Sequence, residues 1–248
     1  ILIGSKKLLE NEFKKLKTKV QLHKFDSQAN LRNNNLYIID IPLKPKKPSL
    51  TEINNFIAKS FKIGLNLLKK KNSFALINGP ISKTAFLKGK YNGITEYLAF
   101  KTGSLNEVML IFNKKLSVSP ITTHVPINQV AQKIKKNIII NKIKNINEFY
   151  KKFLDFKPNI AVTGLNPHCE TFVGKNIEKT EILPAIKLLK KKKIKISGPF
   201  SADTIFLKDK REKFDVIVGM YHDQVLTPMK TIFGFDAINI TIGLPFVR

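Results

Sequence analysis

The chain has 248 residues, 43% of them hydrophobic, which is enough to bury a sizeable core as one domain or two lobes and excludes a disordered chain. Its formal charge of +26 is carried by lysines scattered among Ile and Asn, with no RGG-like or aromatic-interleaved tract; this favours a solvated basic surface over nucleic-acid binding. The lone cysteine, Cys169, excludes a disulfide framework and fits a reducing, cytoplasmic compartment, while no apolar run approaches the ~20 residues of a membrane span and no signal peptide is visible. From the N-terminus, Ile1-Leu2-Ile3-Gly4 reads as a strand running into a loop. Residues 6–18 place Leu8, Leu9, Phe13 and Leu16 at helical spacing, and 36–39 form a short strand. A polar, proline-bearing link at 44–48 precedes Ser49 and Glu52, a capping-box signature. The long helix it opens carries Ile53, Phe56, Ile57 and Phe61 on one face and ends in Lys69-Lys70-Lys71.

Further strands are expected at 74–77, 109–112, 121–123, 160–162 and 194–196, with helices over about 128–140 and 147–156. Thr180 is read as the cap of another helix, in which Pro184 is tolerable because it lies in or near the first turn. Strands alternating with helices predict an α/β architecture with a largely parallel sheet. Both ends are expected to be internal to a longer chain, because the sequence begins without Met and stops at Arg248 directly after a strand and turn.

The rest of the chain points toward residues 215–248. Val216-Ile217-Val218 is β-branched and too short for a helix, so it reads as a buried strand; it gives way at Gly219 to Tyr221-His222-Asp223-Gln224. A second apolar run, 238–242, carries Asn239 and ends at Gly243-Leu244-Pro245. Ligands in α/β proteins bind where the carboxyl ends of parallel strands open onto a crevice. Lys230 between the two runs, Asn239 within the second and Arg248 after it therefore suggest a site for a small anion. Lys230 and Arg248 are expected in polar loops that follow strand ends.

Three of the four histidines, His124, His168 and His222, each follow a predicted strand beside a Pro or Gly break, so parallel strands bring them to one sheet edge. Three neutral imidazoles make an open catalytic site for a divalent metal, the alternative being solvated loop histidines. His23 is read as surface, and Cys169 as a buried thiol rather than a fourth ligand. Asn78-Gly79-Pro80 with Ser82-Lys83-Thr84 lacks the spacing of a Walker loop, and no G-x-G-x-x-G occurs. Asp203 and Asp223 are the acidic candidates for orienting a histidine or transferring a proton.

The segments NGPISK (78–83), ITTHVP (121–126), GLNPH (164–168), GPFSADTIF (198–206), MYHDQVLTPMK (220–230) and NITIGLPFVR (239–248) together resemble the 4-hydroxythreonine-4-phosphate dehydrogenases of pyridoxal phosphate biosynthesis. MYHDQ with the terminal GLPF-V-R is the specific pair; the other segments support it. The resemblance spans nearly the whole chain. It implies a two-lobed fold like that of the isocitrate and isopropylmalate dehydrogenases, with 1–85 and 238–248 in the first lobe and 86–237 in a second that carries the metal ligands and a homodimer interface. It implies His124, His168 and His222 as ligands of one divalent metal, Zn foremost and Mg, Mn or Co as alternatives. Thr95, Lys230, Asn239 and Arg248 would contact a phosphorylated amino-acid substrate, with Lys230, Asp203 and Asp223 as the catalytic side chains. NAD or NADP would accept the hydride as the substrate is oxidised and decarboxylated.

Two departures stand out: Ile94 replaces the family's histidine before Thr95, and Cys169-Glu170-Thr171-Phe172 replaces its glycine-rich loop. Asn92, Lys83 or a partner-subunit residue could take over the substrate hydrogen bond that isoleucine is unable to make. Ile94 keeps open a sister dehydrogenase for threonate or erythronate phosphate, and the third alternative is a non-catalytic remnant.

Overall fold

The computed structural model describes residues 1–26, 31–32, 34–43, 47–70, 75–91, 93–104, 107–170 and 176–248. The chain divides into two compact units, Ile1–Tyr91 and Asn92–Arg248.

The first unit contains β1 (Leu2–Gly4), α1 (Lys6–Lys15), β2 (Leu22–Lys24), β3 (Leu36–Asp40), α2 (Leu50–Lys69) and α3 (Lys83–Leu87). Its three strands form a parallel sheet in the order β1-β3-β2. The capping box forms at α2: the Glu52 amide donates to Ser49 Oγ (3.2 Å), and the Ser49 amide donates to Glu52 Oε2 (2.9 Å). That closes two of the donors a helix start leaves open. Of the strand expected at 74–77, Phe74 lies outside the described residues, Ala75 makes an isolated bridge, and Ile77 is exposed. The link at 44–48 also falls largely outside them.

The second unit contains α4 (Ile94–Thr102), β4 (Val108–Phe112), β5 (Ser117–Thr122), α5 (Val130–Lys133), α6 (Lys136–Phe153), β6 (Ile160–Thr163), α7 (Leu183–Lys191), β7 (Ile196–Phe200), α8 (Ala202–Ile205), α9 (Lys208–Arg211), β8 (Val216–Tyr221), α10 (His222–Phe233) and β9 (Ile238–Ile242). Its sheet has the order β7-β6-β8-β5-β4-β9. β7, β6, β8 and β5 run parallel, while β4 is antiparallel to both β5 and β9. The α/β fold with a parallel-dominated sheet is therefore as the sequence implies.

β8 shows why this sheet needs helices on both faces. Val216 and Val218 join the core that contains Ile143, Ile146, Ala185 and Leu189 of α6 and α7, whereas Ile217 joins Val225, Leu226 and Met229 of α10. All three strand residues are fully buried, each contributing about 1.5–3 kcal/mol. Gly219 makes the α10 side possible, because a Cβ there would lie 2.4 Å from Val225 Cγ1.

Three boundaries differ from the sequence expectation. The helix break expected between 140 and 147 falls instead at Ile134, whose extended ψ of 111° ends α5. α6 then runs unbroken because Ile139, Ile143, Ile146 and Phe149 continue one buried stripe through the expected gap. The polar stretch after β8 is a helix, α10, with Pro228 inside it. Pro228 has no N–H to donate, but Val225, Leu226 and Met229 anchor the helix on either side of it. Finally, the 238–248 segment assigned to the first lobe belongs with the second unit, because Ile238–Ile242 hydrogen-bonds along β4 from Phe112 to Val108.

Candidate functional site

The topology dictates which chain ends share an edge. β6, β8 and β5 are adjacent and parallel, so the segments after Thr163, Tyr221 and Thr122 leave the sheet on the same side. β4 starts at that edge and β9 ends there, because Val108 pairs with Ile242. The edge thus gathers Gly164–His168, His222, His124, the tail through Arg248, and α4 leading into β4.

His124 and His222 meet, with ring centroids 6.2 Å apart. Two imidazoles on one tetrahedral ion have ring centres roughly 5 Å apart, so this pair would have to close by about 1 Å to share an ion. His222 has a carboxylate within hydrogen-bond reach of Nδ1, whereas the one near His124 stands off. Asp223 Oδ1 is 2.8 Å from His222 Nδ1, and Glu96 Oε1 is 3.7 Å from His124 Nδ1. The Asp223 contact leaves the other ring nitrogen of His222 free to face a ligand, the usual orientation of a ligating histidine. His168 stands at the same edge, on the short turn Pro167–Cys169. It does not complete a trio: among the described residues no three His, Cys, Asp or Glu side chains form a metal-binding cluster.

Two polar side chains, the half-buried Gln224 and the buried Glu178, hold the loop that carries His168. Gln224 Oε1 accepts from Thr163 Oγ1 (2.8 Å) and the Met220 amide (2.7 Å), while its Nε2 donates to Gly164 O (2.8 Å). Glu178, only 1% exposed, receives the amides of Leu165 (2.9 Å) and Asn166 (2.8 Å) on Oε1. Asn166 Nδ2 donates to the same carboxylate, 3.2 Å from Oε1 and 3.1 Å from Oε2. Burial raises the Glu178 pKa, but these donors outweigh it and hold the group below the ordinary glutamate value. Cys169 is only half-buried, not the buried thiol expected, and partial burial pushes its thiol up.

Of the four expected substrate contacts, the structure joins two. Arg248 Nη1 donates to Thr95 Oγ1 (2.9 Å) and to Thr241 Oγ1 (3.0 Å). Burial lowers the Arg248 pKa, and the charge of Glu96 opposes that shift. Lys230 is exposed in the last turn of α10, not in a loop, because the helix continues through Pro228. Asn239 is exposed on β9, opposite Ile111 of β4. Asp203 and Asp223 line one open groove of about 500 Å³ with Tyr221 and Thr227, so the two acidic candidates do share a surface.

Ile94 is buried as the first residue of α4. Of the expected substitutes for the missing histidine, Lys83 is exposed at the start of α3 in the first unit, and Asn92 lies outside the described residues. Thr171 and Phe172 of the replaced glycine loop also lie outside them.

Glu96, Gln224 and Glu178 are the site residues that sequence reasoning passed over. Glu96 and Gln224 adjoin singled-out residues, Thr95 and Asp223, which was the available signal. Glu178 is 13 residues from Leu165, and no spacing rule connects them.

Comparison with known proteins bears on this arrangement. The family described as pyridoxal phosphate biosynthetic protein PdxA matches residues 1–248. A 4-hydroxythreonine-4-phosphate dehydrogenase of Sulfurihydrogenibium sp. is 37% identical over 263 residues, an alignment covering 100% of this chain and 78% of that protein. A protein of Oceanobacillus iheyensis, to which D-threonate 4-phosphate dehydrogenase activity is provisionally ascribed, is 33% identical over 260 residues, with the same two coverages of 100% and 78%. The crystal structure of a 4-hydroxythreonine-4-phosphate dehydrogenase from Klebsiella pneumoniae superposes with a TM-score of 0.84 at 28% identity, covering 99% of this chain and 79% of that one.

Proposed function

Because the chain belongs to the PdxA family of pyridoxal phosphate biosynthetic proteins, whose curated relatives are dehydrogenases, we propose that it oxidises 4-phosphooxy-L-threonine with NAD or NADP and decarboxylates the product to 3-amino-2-oxopropyl phosphate. The observation that carries this reading is the convergence, on one sheet edge, of the His124–His222 pair and the Arg248–Thr95 pair.

In this reading His124, His168 and His222 would hold a divalent ion once His168 closes onto the other two, and the ion would supply Lewis acidity. The nicotinamide supplies the hydride acceptor. Arg248 offers a fixed fork of donors to an anionic substrate group, and Thr95 holds that fork in position. Lys230 adds a point charge for phosphate or carboxylate, and Asn239 a neutral amide. Asp223 orients His222 through Nδ1. Asp203, across the groove, is the group for moving a proton at the hydroxyl or at the enolate carbon.

The metal-bearing part corresponds to the second unit, and the working form is a homodimer with its site at the subunit interface, in the cytoplasm. No helix among the described residues is long and apolar enough to cross a membrane.

A second reading is favoured by one residue. Ile94 puts a buried hydrocarbon where the resembled dehydrogenases carry a histidine, and the Oceanobacillus relative is ascribed threonate phosphate activity. The test is nicotinamide reduction followed by absorbance, with 4-phosphooxy-L-threonine, D-threonate 4-phosphate and erythronate 4-phosphate compared by kcat/KM. A preference for 4-phosphooxy-L-threonine is expected. A tenfold preference for either sugar-acid phosphate would overturn the assignment, and no reduction with any of the three would favour the non-catalytic alternative.

A further inference from the structure

Lysines dominate the surface of this chain, but Lys142 is not one of the solvated ones. Among the described residues every lysine is exposed except Lys142 and Lys144, both half-buried on α6. A half-buried lysine is ordinarily explained by its methylene stem, which lies along apolar surface while the ammonium stays in water. At Lys142 the charged head is affected as well. Burial is the largest influence on it and holds its pKa below the ordinary lysine value, with the charges of Glu107 and Glu96 opposing that shift. Neither carboxylate comes within ion-pair distance, and the amine has no hydrogen-bond partner among the described residues.

The amine opens instead onto a pocket. Lys142 lines a cavity of about 260 Å³ with Glu107, which precedes β4, Ile121 of β5, Val125, Lys133 of α5 and Ile138 of α6. Ile121, Val125 and Ile138 give the cavity apolar walls, and Glu107 and Lys133 are its other charged groups. It is too small for a dinucleotide, since pockets for drug-sized ligands run from about 300 Å³ upward. A compound of three or four carbons suits it better. An amine without an ion-pair partner, kept partly from water, is the arrangement that makes a lysine nucleophilic toward carbonyl carbon.

We propose that Lys142 is a covalent capture site for small phosphorylated aldehydes and ketones, which it holds as an imine in this pocket. The neutral amine adds to the carbonyl carbon and gives a carbinolamine. The hydroxyl then takes a proton and leaves as water, the nitrogen lone pair forms the C=N bond, and the nitrogen gives up its remaining proton. The step needs no oxidant or reductant. Glu107 is the acid in the pocket that can lend the proton to the departing hydroxyl and recover it from nitrogen. Lys133 supplies a positive charge for the phosphate. None of these side chains is assigned to the dehydrogenase reaction, so this site stands or falls apart from that reading.

The probe is glyceraldehyde 3-phosphate, incubated with the folded protein at neutral pH and trapped with borohydride, which reduces an imine to a stable secondary amine. Peptide mass spectrometry then reads the extent of labelling at each lysine. Lys142 is expected to label at least ~10-fold faster than the average exposed lysine, the factor that ~1.4 kcal/mol of preference gives. The preference should shrink as pH rises toward about 10.4, where ordinary lysines also lose their protons. It should vanish in urea-unfolded protein, which keeps the sequence and loses the pocket. Glyceraldehyde without the phosphate should label Lys142 more slowly, and Lys133→Ala, at an exposed position, should remove most of that difference.

Labelling of Lys142 no faster than that of the exposed lysines would overturn the proposal, leaving a half-buried lysine with a structural role. A preference that survives unfolding would overturn it equally, because the pocket would not be its source. Equal labelling by the two aldehydes, or a difference unchanged in Lys133→Ala, would overturn the assignment of the phosphate to Lys133.

Discussion

Glu178→Ala tests the scaffolding of the site most directly. The carboxylate is 1% exposed and receives the Leu165 and Asn166 amides on a single oxygen, at 2.9 and 2.8 Å. Alanine would leave both buried donors without an acceptor, at about 1–3 kcal/mol each. Water entering the vacated space offsets part of this, so the expected loss is about 3 kcal/mol, or roughly 6–12 °C in Tm for a chain of this size. Glu178→Gln keeps Oε1 as acceptor for both amides but sets its own NH2 against Asn166 Nδ2, 3.1 Å from Oε2 in the parent. About 1 kcal/mol is expected for that change. The pH dependence has a definite sign. The native pKa of Glu178 is depressed, so its contribution is complete above the ordinary glutamate value of about 4.3 and is lost as pH falls through the native value. The stability gap between the parent and Glu178→Gln should therefore narrow below about pH 4. Urea unfolding followed by circular dichroism at stepped pH measures both effects. A loss under ~0.5 kcal/mol for Glu178→Ala, a typical surface value, would refute the reasoning.

The remaining predictions concern the ligands. Changing any two of His124, His168 and His222 to Ala should abolish divalent-metal occupancy in elemental analysis; full occupancy in a double variant would remove the metal assignment. Lys230→Ala should lower kcat/KM at least ~10-fold, equivalent to ~1.4 kcal/mol, with little change in Tm because the side chain is exposed. Arg248→Lys should lower kcat/KM by more than Lys230→Ala, since an ammonium cannot reproduce a fork held by Thr95 and Thr241; equal effects would count against a bidentate role. Ile94→His should change kcat/KM for 4-phosphooxy-L-threonine by less than roughly 1–3 kcal/mol and should lower Tm, because position 94 is buried. A hundredfold gain from a near-inactive parent would show that the native substrate is a different one.

How far the sequence could be read depended on whether a signal was local. Val216-Ile217-Val218 announced a buried strand by β-branching alone, and β8 is buried on both faces. Placing histidines after strands of one parallel sheet was enough to put His124 beside His222, because β5 and β8 are neighbours in register from Ser117 and Val216 to Thr122 and Tyr221. His168 obeyed the same rule only to the level of the edge, since it lies five residues beyond Thr163 on a turn whose shape is set by Glu178. α10 was hidden by Pro228, which interrupts the helical pattern. α4 was hidden differently: Ile94, Tyr97, Leu98 and Ala99 are all buried, so no single apolar stripe marks the helix.

Those two hidden helices bring carboxylates to the histidines, Asp223 in hydrogen-bond contact with His222 and Glu96 farther from His124. Asp223 was visible because it adjoins His222 in sequence, so its partner was never in question. Glu96 had no such neighbour: what brings it to His124 is a helix packed beside a strand end, with Gly93 leaving room for the approach. Residue type and spacing thus singled out the histidines that gather at this edge, whereas a group such as Glu178, which shapes the turn carrying His168, depends on a tertiary contact between segments apart in sequence.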